Sequence, residues 1–130
     1  LGEKIVLASI ENKDGKLNSL TENGGDCFLT SACVQYAGKS DDCVELTTLR
    51  RFRDSYMRQT QIGRALIDEY YQVAPKIVQR INTSNKQETY YSYINEVIDR
   101  CVNFIENGEN EKALTEYRFM TLNFKKIFEI

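Results

Sequence analysis

Asp26-Cys27-Phe28-Leu29-Thr30-Ser31-Ala32-Cys33-Val34-Gln35-Tyr36-Ala37-Gly38 is the stretch at which this chain changes character. From Cys27 onward, apolar residues recur every three or four positions, the period of an amphipathic helix. Leu29, Cys33 and Tyr36 share one helical face, while Cys27, Thr30 and Val34 share another. Gly38 is a residue type that commonly ends a helix. Gly24-Gly25-Asp26 stands just ahead, so Cys27 falls where the helix would start. The first backbone N–H groups of a helix are unpaired and carry partial positive charge, which favours a thiolate there.

The same period carries on downstream. Lys39-Ser40-Asp41-Asp42 reads as a short loop, with Asp41 or Asp42 as the N-cap of a helix from about Cys43 to Arg58. Leu46, Leu49, Phe52 or Arg53, and Tyr56 form its stripe. Thr60 is placed to cap a further helix whose stripe is Ile62, Leu66, Tyr70 and Val73. Pro75 interrupts the apolar pattern that continues through Ile77, Val78 and Ile81, and predicts a kink or a break at Ala74. Beyond the loop Asn82-Thr83-Ser84-Asn85, the seam Tyr91, Ile94, Ile98, Cys101, Ile105 predicts a long helix that ends at Asn107-Gly108. A last helix carries Ala113, Tyr117, Met120, Phe124 and Ile127. Short loops between long helices make antiparallel neighbours, so the pattern implies a mainly α protein: one up-and-down bundle of about five helices. Upstream, Ile5-Val6-Leu7-Ala8-Ser9-Ile10 and the turn Asn12-Lys13-Asp14-Gly15-Lys16 suggest a short hairpin or an extended arm over residues 1–26, with the helical domain over 27–130.

Bulk properties narrow the function. A chain of 130 residues with 42% hydrophobic and 28% charged side chains has the size and composition of one soluble globular domain. A formal net charge of −2 gives no general attraction for nucleic acid or an anionic membrane surface. No apolar run is long enough to span a bilayer, and no charged-then-apolar signal pattern opens the chain. An upstream start is left open by Leu1. Without histidine, neither a Ser-His or Cys-His pair nor a histidine metal site is available. The spacings of Cys27, Cys33, Cys43 and Cys101 do not form the CxxC pairs of a zinc ribbon. We therefore expect no metal and no cofactor, a cytoplasmic setting and mostly reduced thiols, with a Cys33–Cys43 disulfide as the minority alternative. Cys101, on an apolar seam, reads as core.

The run Cys27-Phe28-Leu29-Thr30-Ser31-Ala32 resembles the box that names the CFI-box C-terminal domains. Leu49-Arg50-Arg51-Phe52-Arg53-Asp54, Gly63-Arg64-Ala65-Leu66, Tyr70-Tyr71 and Pro75 follow in the order that family has them, so the likeness covers residues 27–81. One departure is that Cys33-Val34 intervenes before Tyr36-Ala37-Gly38, where many members close the box with Ala-Tyr-Gly. The resemblance implies a fold and a set of candidate positions, and no activity.

Two functional expectations follow. In the first, the chain is a non-catalytic accessory or interaction domain that binds another protein through its N-terminal arm or an apolar groove, and it carries no complete catalytic constellation. Self-association into a homo-oligomer is compatible with the same reading. In the second, Cys27 is a reactive thiol with Arg50, Arg53 and Arg64 nearby, Thr30 and Ser31 as oxyanion donors, and Tyr70 or Tyr71 moving protons. The plainer account of the same residues is a buried Cys27, opposed as a thiolate by Asp26, and an ion-pair network of Arg50, Arg53 and Asp54 joining helices. Cleavage after Gly24-Gly25, exposing a new terminus near Cys27, is a third and weaker expectation.

Overall fold

Five α-helices account for most of residues 28–130, the part of the chain described by the computed structural model. The predicted hairpin or arm over 1–26, and Cys27 with it, lies outside the described residues. Helix α1 spans Phe28–Tyr36, α2 Val44–Ser55, α3 Gln61–Asn82, α4 Gln87–Glu106 and α5 Asn110–Phe128, with a 3-10 turn at Met57–Gln59 between α2 and α3. The expected mainly α bundle is what forms.

Local chemistry explains most of the boundaries. Gly38 has φ of 76°, which glycine adopts without a Cβ clash. Its N–H reaches the carbonyl of Gln35 at 3.0 Å while Lys39 N–H reaches that of Val34 at 2.9 Å, the paired closure of a glycine-terminated helix. Thr60 caps α3 as its position suggests, its Oγ1 accepting from Gly63 N–H at 2.9 Å. Gly63 is also required by space, since a Cβ there would lie 1.9 Å from the carbonyl oxygen of Met57.

Three expectations need correction. Neither Asp41 nor Asp42 caps α2: Cys43 occupies that position without a side-chain bond. Asp41 instead accepts from Arg50 at 3.1 Å, and Asp42 is held by the Ser40 hydroxyl. α2 ends at Ser55 rather than Arg58, where the chain tightens into the 3-10 turn. Finally, of the kink or break expected at Ala74, the break does not occur: Pro75 sits inside a continuous helix with its own side chain exposed. Proline removes one helical hydrogen bond, and burial of Ala74, Ile77 and Ile81 around it outweighs that loss.

The core is built from the faces the helices turn inward. Leu29, Leu46, Ile77, Ile94, Met120 and Phe124 are fully buried. On α4, Tyr91, Ile94, Ile98 and Cys101 are buried as the seam predicts, while Ile105 is only partly covered. On α5, Ala113, Met120 and Phe124 are buried but Ile127 is not; Phe128 takes the last-turn contact, with its ring 5.4 Å from that of Tyr90.

α3 turns a broad apolar face inward. Ile77 and Ile81, which continue the expected stripe past Pro75, are fully buried, and Tyr70 and Val73 are partly buried and packed against the core. Gly63, Ile67 and Ala74 are buried beside them. Nearer the start of the helix the cover thins: Leu66 is partly buried and Ile62 is 74% exposed.

Candidate functional site

The start of α1 is fixed by side chains from α3 and α5. The Phe28 ring lies edge-on to Tyr71 with centroids 5.8 Å apart, and 6.5 Å from Tyr70. Leu29 N–H, one of the donors a helix start leaves without an intrahelical partner, donates to Tyr70 Oη at 2.8 Å. Tyr70 Oη is 3.0 Å from Tyr117 Oη, which is 2.8 Å from Thr30 Oγ1. Thr30 and Tyr70, both chosen from sequence, are thus brought into one chain of hydroxyls. Tyr117 closes it and was read from sequence only as a seam residue. The available signal was chemical: a tyrosine on a largely buried seam requires a partner for its hydroxyl. Thr30 is fully buried, so its hydroxyl is committed to Tyr117 rather than available to an oxyanion. Ser31 is also buried, and its Oγ has no hydrogen-bond partner among the described residues.

Arg53 stands next to this corner and is 9% exposed. Its Nε and Nη2 grip the two oxygens of Asp54 at 2.9 and 3.2 Å, and Nη1 donates to Tyr71 Oη at 3.3 Å. This planar, two-point geometry is specific to arginine. Asp54 also accepts from Arg58 at 3.1 Å. Arg53 first, then Arg58, holds the Asp54 carboxyl below its ordinary range. The expected network is therefore correct for Arg53 and Asp54, but it is local to α2 and the turn after it, with Tyr71 as its link to α3. Arg50 is bonded to Asp41, and Arg64 donates to the carbonyl of Arg58 at 2.9 Å. Among the described residues, Arg50, Arg53 and Arg64 thus have different acceptors. Their relation to Cys27 lies outside the described residues.

The Cys33 and Cys101 thiols are buried and not activated. Cys33 donates to the Tyr91 carbonyl and Cys101 to that of Ala113, each at 3.5 Å. Burial pushes the Cys33 thiol up to about 11 and the Cys101 thiol up to about 12. Cys33 and Cys43 are both free, so the minority disulfide is not formed. Among the described residues, no cluster of three Cys, Asp or Glu side chains could hold a metal ion.

Alongside the hydroxyl chain runs an apolar groove between α3 and α5, enclosing a cavity of about 80 Å³. Leu66 and Tyr70 line it from α3, and Leu114, Tyr117 and Leu122 from α5, with Leu49 at its floor. The less covered, N-terminal part of α3's apolar face is therefore one wall of this groove. Its neighbour Phe119, 63% exposed, extends the apolar surface past the α5 rim. Among the described residues, no helix is long and apolar enough to cross a membrane. No protein-family model, curated protein or solved structure matches the chain.

Proposed function

We propose that this chain is a non-catalytic protein-interaction module that seats a helical segment of another protein in the groove between α3 and α5. One observation carries the reading: the apolar face of α3 is broader than what the core covers, so Ile67, Ala74, Ile77 and Ile81 are buried while the same face, nearer the start of the helix, lines the groove. There Leu66 and Tyr70 stand opposite Leu122, with Ile62 exposed beyond them. Apolar grooves between helices take amphipathic helices through side chains spaced three and four apart. The hydroxyl chain of Thr30, Tyr70 and Tyr117 supports the same reading, because its groups bond one another and hold α1 in place. The free thiols of Cys33, Cys43 and Cys101 favour a cytoplasmic setting.

The likeness to the CFI-box domains belongs to this proposal, and the positions of its motifs support it. Phe28 to Ala32 open α1, Leu49 to Asp54 form the second half of α2, and Gly63 to Leu66 lie in the first turns of α3. Tyr70 and Tyr71 meet Phe28, so motifs distant in sequence converge on one corner.

A fluorescent amphipathic peptide of leucine and glutamine, with leucines at helical spacing, tests the reading by anisotropy. Saturable binding is expected, weakened at least ~10-fold by Leu122→Asp. Leu122 is 38% exposed, so this variant retains the fold, which circular dichroism would verify. Absence of saturable binding, or equal binding by the variant, would refute the proposal.

A further inference from the structure

Charge around the groove distinguishes its two ends. α3 and α5 run parallel, since Tyr70 pairs with Tyr117 and Arg80 Nη1 bonds the Phe128 carbonyl at 2.8 Å. Glu69 and Arg118 face each other across the rim at 3.9 Å, one helical level from the tyrosine pair. Toward the C-terminal end of both helices, Lys76 lies two turns beyond Glu69 on the same stripe, and Lys125 two turns beyond Arg118. The register just given puts these two lysines at about the same height. Lys125 lines the groove and Lys76 is exposed. Neither has an ion-pair partner among the described residues, whereas Arg53 is answered by Asp54 and Arg118 by Glu69. Glu69 is the only carboxylate among the described residues that line the groove. On a chain whose formal net charge is −2, the apolar groove thus ends between two unanswered cations.

We infer that the occupant is an acidic amphipathic helix of a partner protein, with apolar side chains between Leu66 and Leu122 and carboxylates at Lys76 and Lys125. The inference rests on the groove being the docking site, and adds the charge of what docks. Complementary charge at an interface sets which partner is accepted and how fast it arrives more than how much surface is buried. Lys125 also lies in the last turn of α5, where it complements that helix's dipole. A lysine that served only that purpose would give no preference between peptides.

Two helical peptides that share one leucine face separate the possibilities, one flanked by glutamate and the other by lysine. The glutamate peptide is expected to bind ~10-fold or more tightly at low salt, with the gap shrinking as ionic strength rises. The double variant Lys76→Glu/Lys125→Glu, both sites being on the surface, is expected to abolish or invert the preference. Equal binding of both peptides would overturn the charge inference and leave the docking reading standing. Binding of neither would sink the docking reading itself. Sedimentation showing self-association that Leu122→Asp reverses would place a second copy in the groove and overturn the proposal. A cross-link from Lys125 to Lys4, Lys13 or Lys16 within one chain would do the same in favour of the chain's own first residues.

Discussion

Replacing Tyr117 by phenylalanine deletes one oxygen and leaves the ring that packs beside Tyr70 at a centroid distance of 5.6 Å. That oxygen sits 2.8 Å from Thr30 Oγ1 and 3.0 Å from Tyr70 Oη. Tyr70 keeps its bond from Leu29 N–H and is only half-buried, so it loses little. Thr30 is fully buried, and Tyr117 is its hydrogen-bond partner among the described residues. A buried polar group left unsatisfied costs about 1–3 kcal/mol, and Tyr117→Phe is expected to lower the unfolding free energy by that amount in urea titrations. Thr30→Val removes the other end of the same bond while conserving shape. The double variant is expected to lose less than the sum of the singles, with a coupling of about 1 kcal/mol. Faster hydrogen exchange at the Leu29 amide should accompany the loss, because its acceptor, Tyr70, is no longer braced. A Tyr117→Phe protein within about 0.3 kcal/mol of wild type, or strictly additive effects, would refute the claim that this hydroxyl chain holds α1.

Further outcomes follow from the same geometry. Gly63→Ala forces a Cβ to 1.9 Å from the Met57 carbonyl oxygen, so the 3-10 turn must move; a loss of about 3 kcal/mol or more is expected in thermal or urea unfolding, and a neutral result would contradict the close approach. Cys33 and Cys101 should resist alkylation in the folded protein while half-buried Cys43 reacts, which mass mapping after brief labelling would check. Their thiol pKa values are raised from 9.0 to about 11 and about 12, so above pH 9 the unfolded chain has released protons that the folded one keeps. The two thiols' contribution to stability is therefore constant below that pH and falls as pH rises toward 11 and 12, by about 3 kcal/mol for the pair near pH 10. A Cys33→Ala/Cys101→Ala variant should lose this alkaline slope, and an unchanged slope would assign it to other groups.

What could be read from sequence depended on whether a local rule had a competitor. The seam of α4 was legible because Tyr91, Ile94, Ile98 and Cys101 recur at helical spacing and all are buried, though buried Val97 beside them was not read; the ends at Gly38, Thr60 and Gly108 follow from local backbone chemistry. On α3 the period picks out Ile77 and Ile81, which are buried, but how far along the helix the cover extends, leaving Ile62 exposed, depends on the packing of the other helices, which no local pattern encodes. The α2 cap was misassigned because Asp41 and Asp42 have rival partners in Arg50 and Ser40. Of the candidate site, Thr30 with Tyr70 and Arg53 with Asp54 are brought together, while Arg50 and Arg64 bond Asp41 and the Arg58 carbonyl among the described residues. Tyr117 lies 87 residues from Thr30, and such a pairing is a product of the fold rather than of spacing.

Methyl-resolved NMR of the full chain, titrated with the leucine-glutamate peptide, tests the groove most directly. The account predicts that the methyls of Leu66, Leu114 and Leu122 shift together and saturate at one peptide per chain, while Val44 and Ile127, exposed elsewhere on the surface, stay still. Shifts centred on Val44 or Ile127, or no shifts at all, would contradict it.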